Sequence, residues 1–164
     1  MSLLFQSKYH CIQRQSRRYF WQWMINVFNK PDPQRLQEVG ADRAAAEWLI
    51  KNGAAVKWTD SHHWVKDYDL LEDDVTKRSI KEIDATNSSI THIGFPHLNG
   101  LHSLDTFIIK NNGYIEDNAI EINLKHLKLF DLPSVKDREK CLKDLKSGLK
   151  CEIDWKEAKP KKLL

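Results

Sequence analysis

The side chains able to do chemistry in this 164-residue sequence are scattered rather than grouped. His62 and His63 beside Asp60 come nearest to a metal-ligand cluster. Adjacent residues on a strand point opposite ways, so two neighbouring imidazoles do not converge on one ion, and the segment reads as an exposed turn. His92, His97 and His102 fall on separate connecting stretches and form no recognisable ligand set. Cys11, Cys141 and Cys151 are odd in number and widely spaced, which fits neither a disulfide framework nor a CxxC zinc site. No nucleophile elbow, phosphate-binding loop, dinucleotide glycine fingerprint or HExxH helix occurs. These residue types point to a binding protein, and an enzyme is not expected.

Composition narrows the kind of binding. A hydrophobic content of 41% with 30% charged residues is that of a soluble domain with a real core. No stretch approaches the roughly 20 apolar residues that span a bilayer, so any membrane association is expected to be peripheral. The net charge of +3 is unevenly spread: residues 1–31 hold Lys8, Arg14, Arg17, Arg18 and Lys30 and no acidic residue. Residues 1–18 have the basic, acid-free composition of a mitochondrial transit peptide, with cleavage expected near Arg17–Phe20 and Cys11 leaving with it. Cys141 and Cys151 are then expected as free thiols in a reducing compartment. No basic stripe with interleaved aromatics marks a nucleic-acid surface. The acidic run Glu72-Asp73-Asp74 reads as a solvated loop, and residues 156–164 as a basic tail with Lys159, Lys161 and Lys162.

Residues 19–70 read as a helical N-terminal cap. Apolar residues at Phe20, Trp21, Trp23, Met24, Val27 and Phe28 fit one helix face. The opposite face lacks the Lys/Arg richness of an interfacial helix, so docking on the domain itself or on a partner is favoured. Asp32-Pro33 is an N-cap followed by Pro at the first helical position. A helix over Asp42–Asn52 should bury Ala44, Ala45, Trp48 and Leu49, with Gly53 ending it in the left-handed conformation. Ala55–Trp58 and Trp64–Tyr68 flank a turn-rich segment and are expected to pair as short strands.

Residues 71–155 carry the pattern that sets the fold class. Ile80-x-x-Ile83-x-Ala85 aligns with Leu104-x-x-Phe107-x-Ile109, Leu124-x-x-Leu127-x-Leu129 and Lys150-x-x-Ile153-x-Trp155, at offsets of 24, 20 and 26 residues. This is close to the period of leucine-rich repeats, in which alternating apolar residues of stacked parallel strands point inward. The returns fall at Ile93–Leu101, Ile115–Ile120 and Lys136–Leu149, the last helical. Asn111 and Asn112 stand after the second strand, where repeat proteins use Asn to bond loop backbone. The expected fold is α/β: a short leucine-rich-repeat solenoid, parallel strands with helical returns, preceded by the helical cap.

The chain also resembles the coupling factor B family, the s subunits of mitochondrial ATP synthase. The stretches Tyr19-Phe20-Trp21-Gln22-Trp23, Val39–Ala45 with Glu47-Trp48-Leu49, and Trp64–Tyr68 carry the likeness. So do Ile83-Asp84-Ala85-Thr86, Ile93-Gly94-Phe95, Tyr114-Ile115-Glu116-Asp117 and Asp131–Val135, in the same order. The resemblance implies a peripheral protein on the matrix side of the mitochondrial inner membrane. Its partner would be the ATP synthase membrane sector or a respiratory complex, and it would help couple proton transport to ATP synthesis. It also implies a structural Mg²⁺ ion at the positions matching Gly53 and Thr86, reasonable for a hard cation that prefers oxygen. Related proteins are linked to assembly of the complex I membrane arm, and a ubiquitin-ligase adaptor of F-box-like type with repeats is a further class. Asn52 and Lys110-Asn111-Asn112-Gly113 stand where family members carry cysteines. The sequence between the Tyr114 and Asp131 segments is shorter than the family's by about one repeat of roughly 30 residues.

Overall fold

The computed structural model describes residues 19–71, 78–115, 126–148 and 151–156. The basic arm 1–18, the Glu72-Asp73-Asp74 run, most of the second return and the tail beyond 156 lie outside them.

Three helices open the chain. Helix α1 covers residues 19–29. Asp32 caps α2 (Pro33–Val39), its carboxylate accepting from Gln34 N at 3.0 Å and Arg35 N at 3.2 Å. Helix α3 (Ala41–Lys51) buries Ala44, Ala45, Ala46, Trp48, Leu49 and Ile50. It ends as its sequence requires: Gly53 has φ +83°, Gly53 N donates to Ile50 O and Ala54 N to Leu49 O. These two bonds satisfy carbonyls that a helix end otherwise strands.

A five-stranded sheet follows in the order β1 (Ala55–Trp58), β2 (Ile80–Thr86), β3 (Thr106–Lys110), β4 (His126–Phe130), β5 (Glu152–Lys156). Strands β2 to β5 run parallel, with Ile83 opposite Phe107, Phe107 opposite Leu127 and Leu127 opposite Ile153. These are the offsets of 24, 20 and 26 seen in the sequence, so the α/β fold of a helical cap on parallel strands stands. Ile83, Ala85, Phe107, Ile109, Leu127 and Leu129 all point inward and are fully buried. Each large one contributes roughly 1.5–3 kcal/mol by burial. The returns are a 3₁₀ segment over His92–Leu98 and helix α4 (Arg138–Gly148), which closes the core with Cys141 and Leu145. Gly94 lies against the Trp48 ring, where a Cβ would overlap it.

One expectation is corrected. Ala55–Trp58 does not form a strand pair with Trp64–Tyr68; only a single bridge joins Val56 to Val65. Strand β1 instead runs antiparallel to β2, Val56 opposite Ile83 and Lys57 opposite Glu82, with a 2.9 Å ion pair between the last two. The long pairing wins because β2 offers a continuous apolar face. Residues Thr59–His63 are turn residues, and Tyr68–Leu70 coils into a 3₁₀ turn capped by Asp67.

A repeated turn makes the strands stack. Asn87, Asn111 and Asp131 each follow a strand with φ of +58°, +49° and +46°. Asn and Asp enter this left-handed region most cheaply among residues other than Gly. Their backbones join neighbouring turns: Asn87 N donates to Lys110 O and Asn111 N to Phe130 O. The buried Asn112 donates to Ser88 Oγ and Ile90 O and accepts from Tyr114 N and Ile115 N. All its polar capacity goes to loop atoms from two successive turns. Replacing it leaves those groups buried without partners, so Asn112→Ala should lower unfolding free energy by about 3 kcal/mol in urea titrations. A loss within experimental error would show that the turn holds without it.

Candidate functional site

Of the two positions implied to bind a metal, Gly53 lies in the left-handed turn after α3, near Ser88, and Thr86 ends β2. The antiparallel register of β1 with β2 begins at Ala55 opposite Asp84. Thr86 donates to Asp84 Oδ1 twice, from its N–H at 3.0 Å and from its hydroxyl at 2.6 Å. Gly53 has its N–H on Ile50 and an open side. The end of β2 brings together the Asp84 carboxylate and the Thr86 hydroxyl, bonded to each other. Among the described residues no group of three or more His, Cys, Asp or Glu converges. Soft or multi-carboxylate coordination is thus not offered here, whereas the oxygen donors suit Mg²⁺, which keeps several waters. Asp84 was missed from sequence; its signal was the i, i+2 spacing to Thr86, which puts both on one strand face. His62 and His63 are exposed, as the turn reading expected. Cys141 and Cys151 are free thiols, the first buried; burial pushes the Cys151 thiol up, which disfavours the reactive thiolate.

A second constellation fixes α1 on the domain. Asn29, wholly buried, accepts from Trp48 Nε1 at 3.2 Å and Thr91 N at 2.9 Å. Its amide donates to Asn52 Oδ1, Ser89 O and Ile25 O. Asn52 in turn donates to Trp48 O, and its own carbonyl accepts from Ser89 N. Thus Asn52 joins α1, α3 and the turn after β2. The bonding role of these two residues was not read from sequence, because their partners lie up to 62 residues away.

Beside this hub, α2 and α3 are clamped by charge. Arg35 meets Glu47 through two bonds of 3.0 and 2.8 Å, and Arg43 adds a third at 2.9 Å. Burial pushes the Glu47 carboxyl up, but the two guanidinium groups outweigh it and hold it below the ordinary carboxylate range. His97 stacks on Trp48 with ring centroids 4.9 Å apart. Burial pushes its imidazole below the ordinary value, against a bond to the Lys30 backbone and the charge of Asp32. Phe28, Lys30, Arg35, Lys51 and His97 surround a solvent-open cleft of about 120 Å³ here.

The aromatic stripe of α1 stays outside. Tyr19, Phe20, Trp21, Trp23, Val27 and Phe28 are 50–71% exposed. The helix attaches through Asn29 at its end and the half-buried Met24 and Ile25, not through the stripe. Of the two docking uses expected from sequence, the aromatic face thus remains available to a partner. A contiguous exposed apolar patch of this kind marks an interaction surface.

The architecture is a helical cap on stacked parallel strands with one face buried, with the aromatic stripe of α1 left exposed. No protein-family model matches the chain. Similarity to individual proteins is clear. ATP synthase subunit s, mitochondrial, of Rattus norvegicus is 37% identical, over 74% of this chain and 78% of that protein. The proteins of the same name from Bos taurus and Homo sapiens are each 36% identical, over 80% of this chain and 84% of their own length. The chain belongs to the family of mitochondrial ATP synthase subunit s. The match to the rat protein runs over 157 residues yet takes up 74% of a 164-residue chain, so the relative carries internal residues with no counterpart here.

The His97 environment sets a pH response. The folded state favours neutral imidazole, so the unfolded chain binds more protons once pH falls through about 6.5. The stability that burial of neutral His97 permits is complete above that value and is lost below it. Thermal unfolding followed from pH 7.5 to 5 should show a falling midpoint in the wild type and a flatter profile in His97→Phe. Identical profiles would assign the slope to other groups.

Proposed function

We propose that this chain is a non-enzymatic accessory protein of mitochondrial ATP synthase that supports coupling of proton transport to ATP synthesis through protein–protein contacts. The observation that carries the proposal is the kinship with proteins named ATP synthase subunit s over about four fifths of the chain. The acid-free arm supports the mitochondrial address. On this reading it sits peripherally on the matrix side of the inner membrane; among the described residues no helix is long and apolar enough to cross a membrane. The exposed α1 stripe supplies one contact and the open face of the sheet another. The repeating unit is of leucine-rich-repeat type on this reading, supported by the left-handed turns at Asn87, Asn111 and Asp131 and by Asn112. The family's extra residues would then correspond to about one further repeat between β3 and β4. Kinship does not favour the complex I assembly or ubiquitin-adaptor readings.

The test is native-gel separation of mitochondrial membranes with detection of the tagged chain. Co-migration with ATP synthase is the expected result. Co-migration with partial complex I species would move the assignment to assembly, and absence from both would remove it.

The magnesium ion enters as a structural brace. Gly53 and Thr86 would hold it, with Asp84 as the charged oxygen donor, tying the end of α3 to the end of β2. Mg²⁺ titration should raise the wild-type unfolding temperature, with the rise abolished in Thr86→Val and Asp84→Asn. An equal rise in all three proteins would place any ion elsewhere.

A further inference from the structure

We infer that the centre of the open sheet face is a docking site for an acidic segment of a protein partner that also presents an apolar side chain. The inference takes its probe from the accessory-protein reading above. Because side chains alternate along a strand, the residues between the buried ones form a grid on the opposite face. Register places Ile108 beside Lys128 and Lys110 beside Phe130 on β3 and β4. The two lysines are exposed and the two apolar residues half-exposed, so this block is open to solvent.

Several charges around the block are matched. Lys57 pairs with Glu82 at 2.9 Å, His126 lies 3.1 Å from Glu152, and Asp154 is drawn to Lys156 at 3.1 Å rather than to its register neighbour Lys128. Asp84, opposite Ile108 on β2, is bonded by Thr86 and has no ion-pair partner among the described residues. Lys110 and Lys128 make no ion pair among the described residues. Two lysines without an ion pair among the described residues, next in register to Ile108 and Phe130, sit at the middle of a face whose ion pairs lie toward its rim. That is the anatomy of an interface centre: apolar anchors flanked by charges that await complement. Positive potential there selects acid, and Ile108 with Phe130 rewards an apolar neighbour, which together exclude nucleic acid and favour a protein segment. A parallel sheet built only for stability has no need of Phe130 on its wet face.

The experiment measures binding of the full chain to purified, detergent-solubilised ATP synthase on a biosensor, across ionic strength. Wild type should bind, with affinity falling as salt rises. Lys110→Glu with Lys128→Glu should weaken binding at least about tenfold, Phe130→Ala likewise, while Lys66→Glu in an exposed loop should not. Unfolding curves establish that each variant is folded; should the double reversal not fold, Lys110→Gln with Lys128→Gln replaces it. Wild-type binding undiminished in the folded variants overturns the docking site. Failure of the wild type to bind overturns the functional reading instead. The face is then judged by a short synthetic peptide of alternating Glu and Leu, followed by NMR. Shifts centred on Ile108, Lys110, Lys128 and Phe130 uphold the site, and shifts elsewhere or none overturn it.

Discussion

A parallel sheet whose strands bury one face and expose the other is the constraint from which the rest of this molecule follows. Once Ile83, Phe107 and Leu127 point inward in register, period two forces Asp84, Ile108 and Lys128 outward. The inward face needs a lid, and α3 supplies it with Trp48 and Leu49 beside the 3₁₀ segment and α4. Gly94 is the concession that lets the Trp48 indole lie close against the segment beneath. Burial therefore fixes the helical layer and the sheet register together, and the wet face is free to vary for binding.

Apolar burial alone would leave the turns unsatisfied, and asparagine resolves this at two levels. Asn112 bonds backbone and hydroxyl groups within the stack, so each turn depends on the next. Asn29 and Asn52 do the same between the cap and the stack. A fully bonded buried polar network fixes one arrangement, because any displacement strands a group that water cannot reach. The end of α1 is thereby held firmly while its aromatic stripe faces outward. An interaction helix anchored at one end presents a preordered surface, which reduces the ordering cost of binding.

The strands were legible in the sequence because their signal is local and repeated: period-two apolar residues at offsets that recur. The caps at Asp32 and Gly53 were legible for the same reason, since each depends on neighbours within a few residues. What depends on long-range register was not. Turn residues after Trp58 imitate a hairpin, yet β1 finds its partner some 25 residues on, where Lys57 meets Glu82. Asn29 looks like a helix-end residue until Thr91 and Trp48 are brought to it. Gly53 and Thr86 were paired only through the family likeness; the bond from Thr86 to Asp84 is local, two residues apart on one strand face.

The short return between β3 and β4 has a consequence for recognition as well as for stability. Repeats touch only their neighbours, so a stack that lacks one can close provided the new neighbours match. Here they do. Phe107 faces Leu127, Asn111 N reaches Phe130 O, His126 N reaches Asp105 O, and Ser134 Oγ donates to Gly113 O at 2.5 Å. Asp131 enters the same left-handed turn as Asn87 and Asn111. The junction is therefore a regular step of the stack, not a scar. It is also this junction that sets Lys110 beside Phe130 and Ile108 beside Lys128. On the reading that family members carry a further repeat at this point, their β3 has a different neighbour.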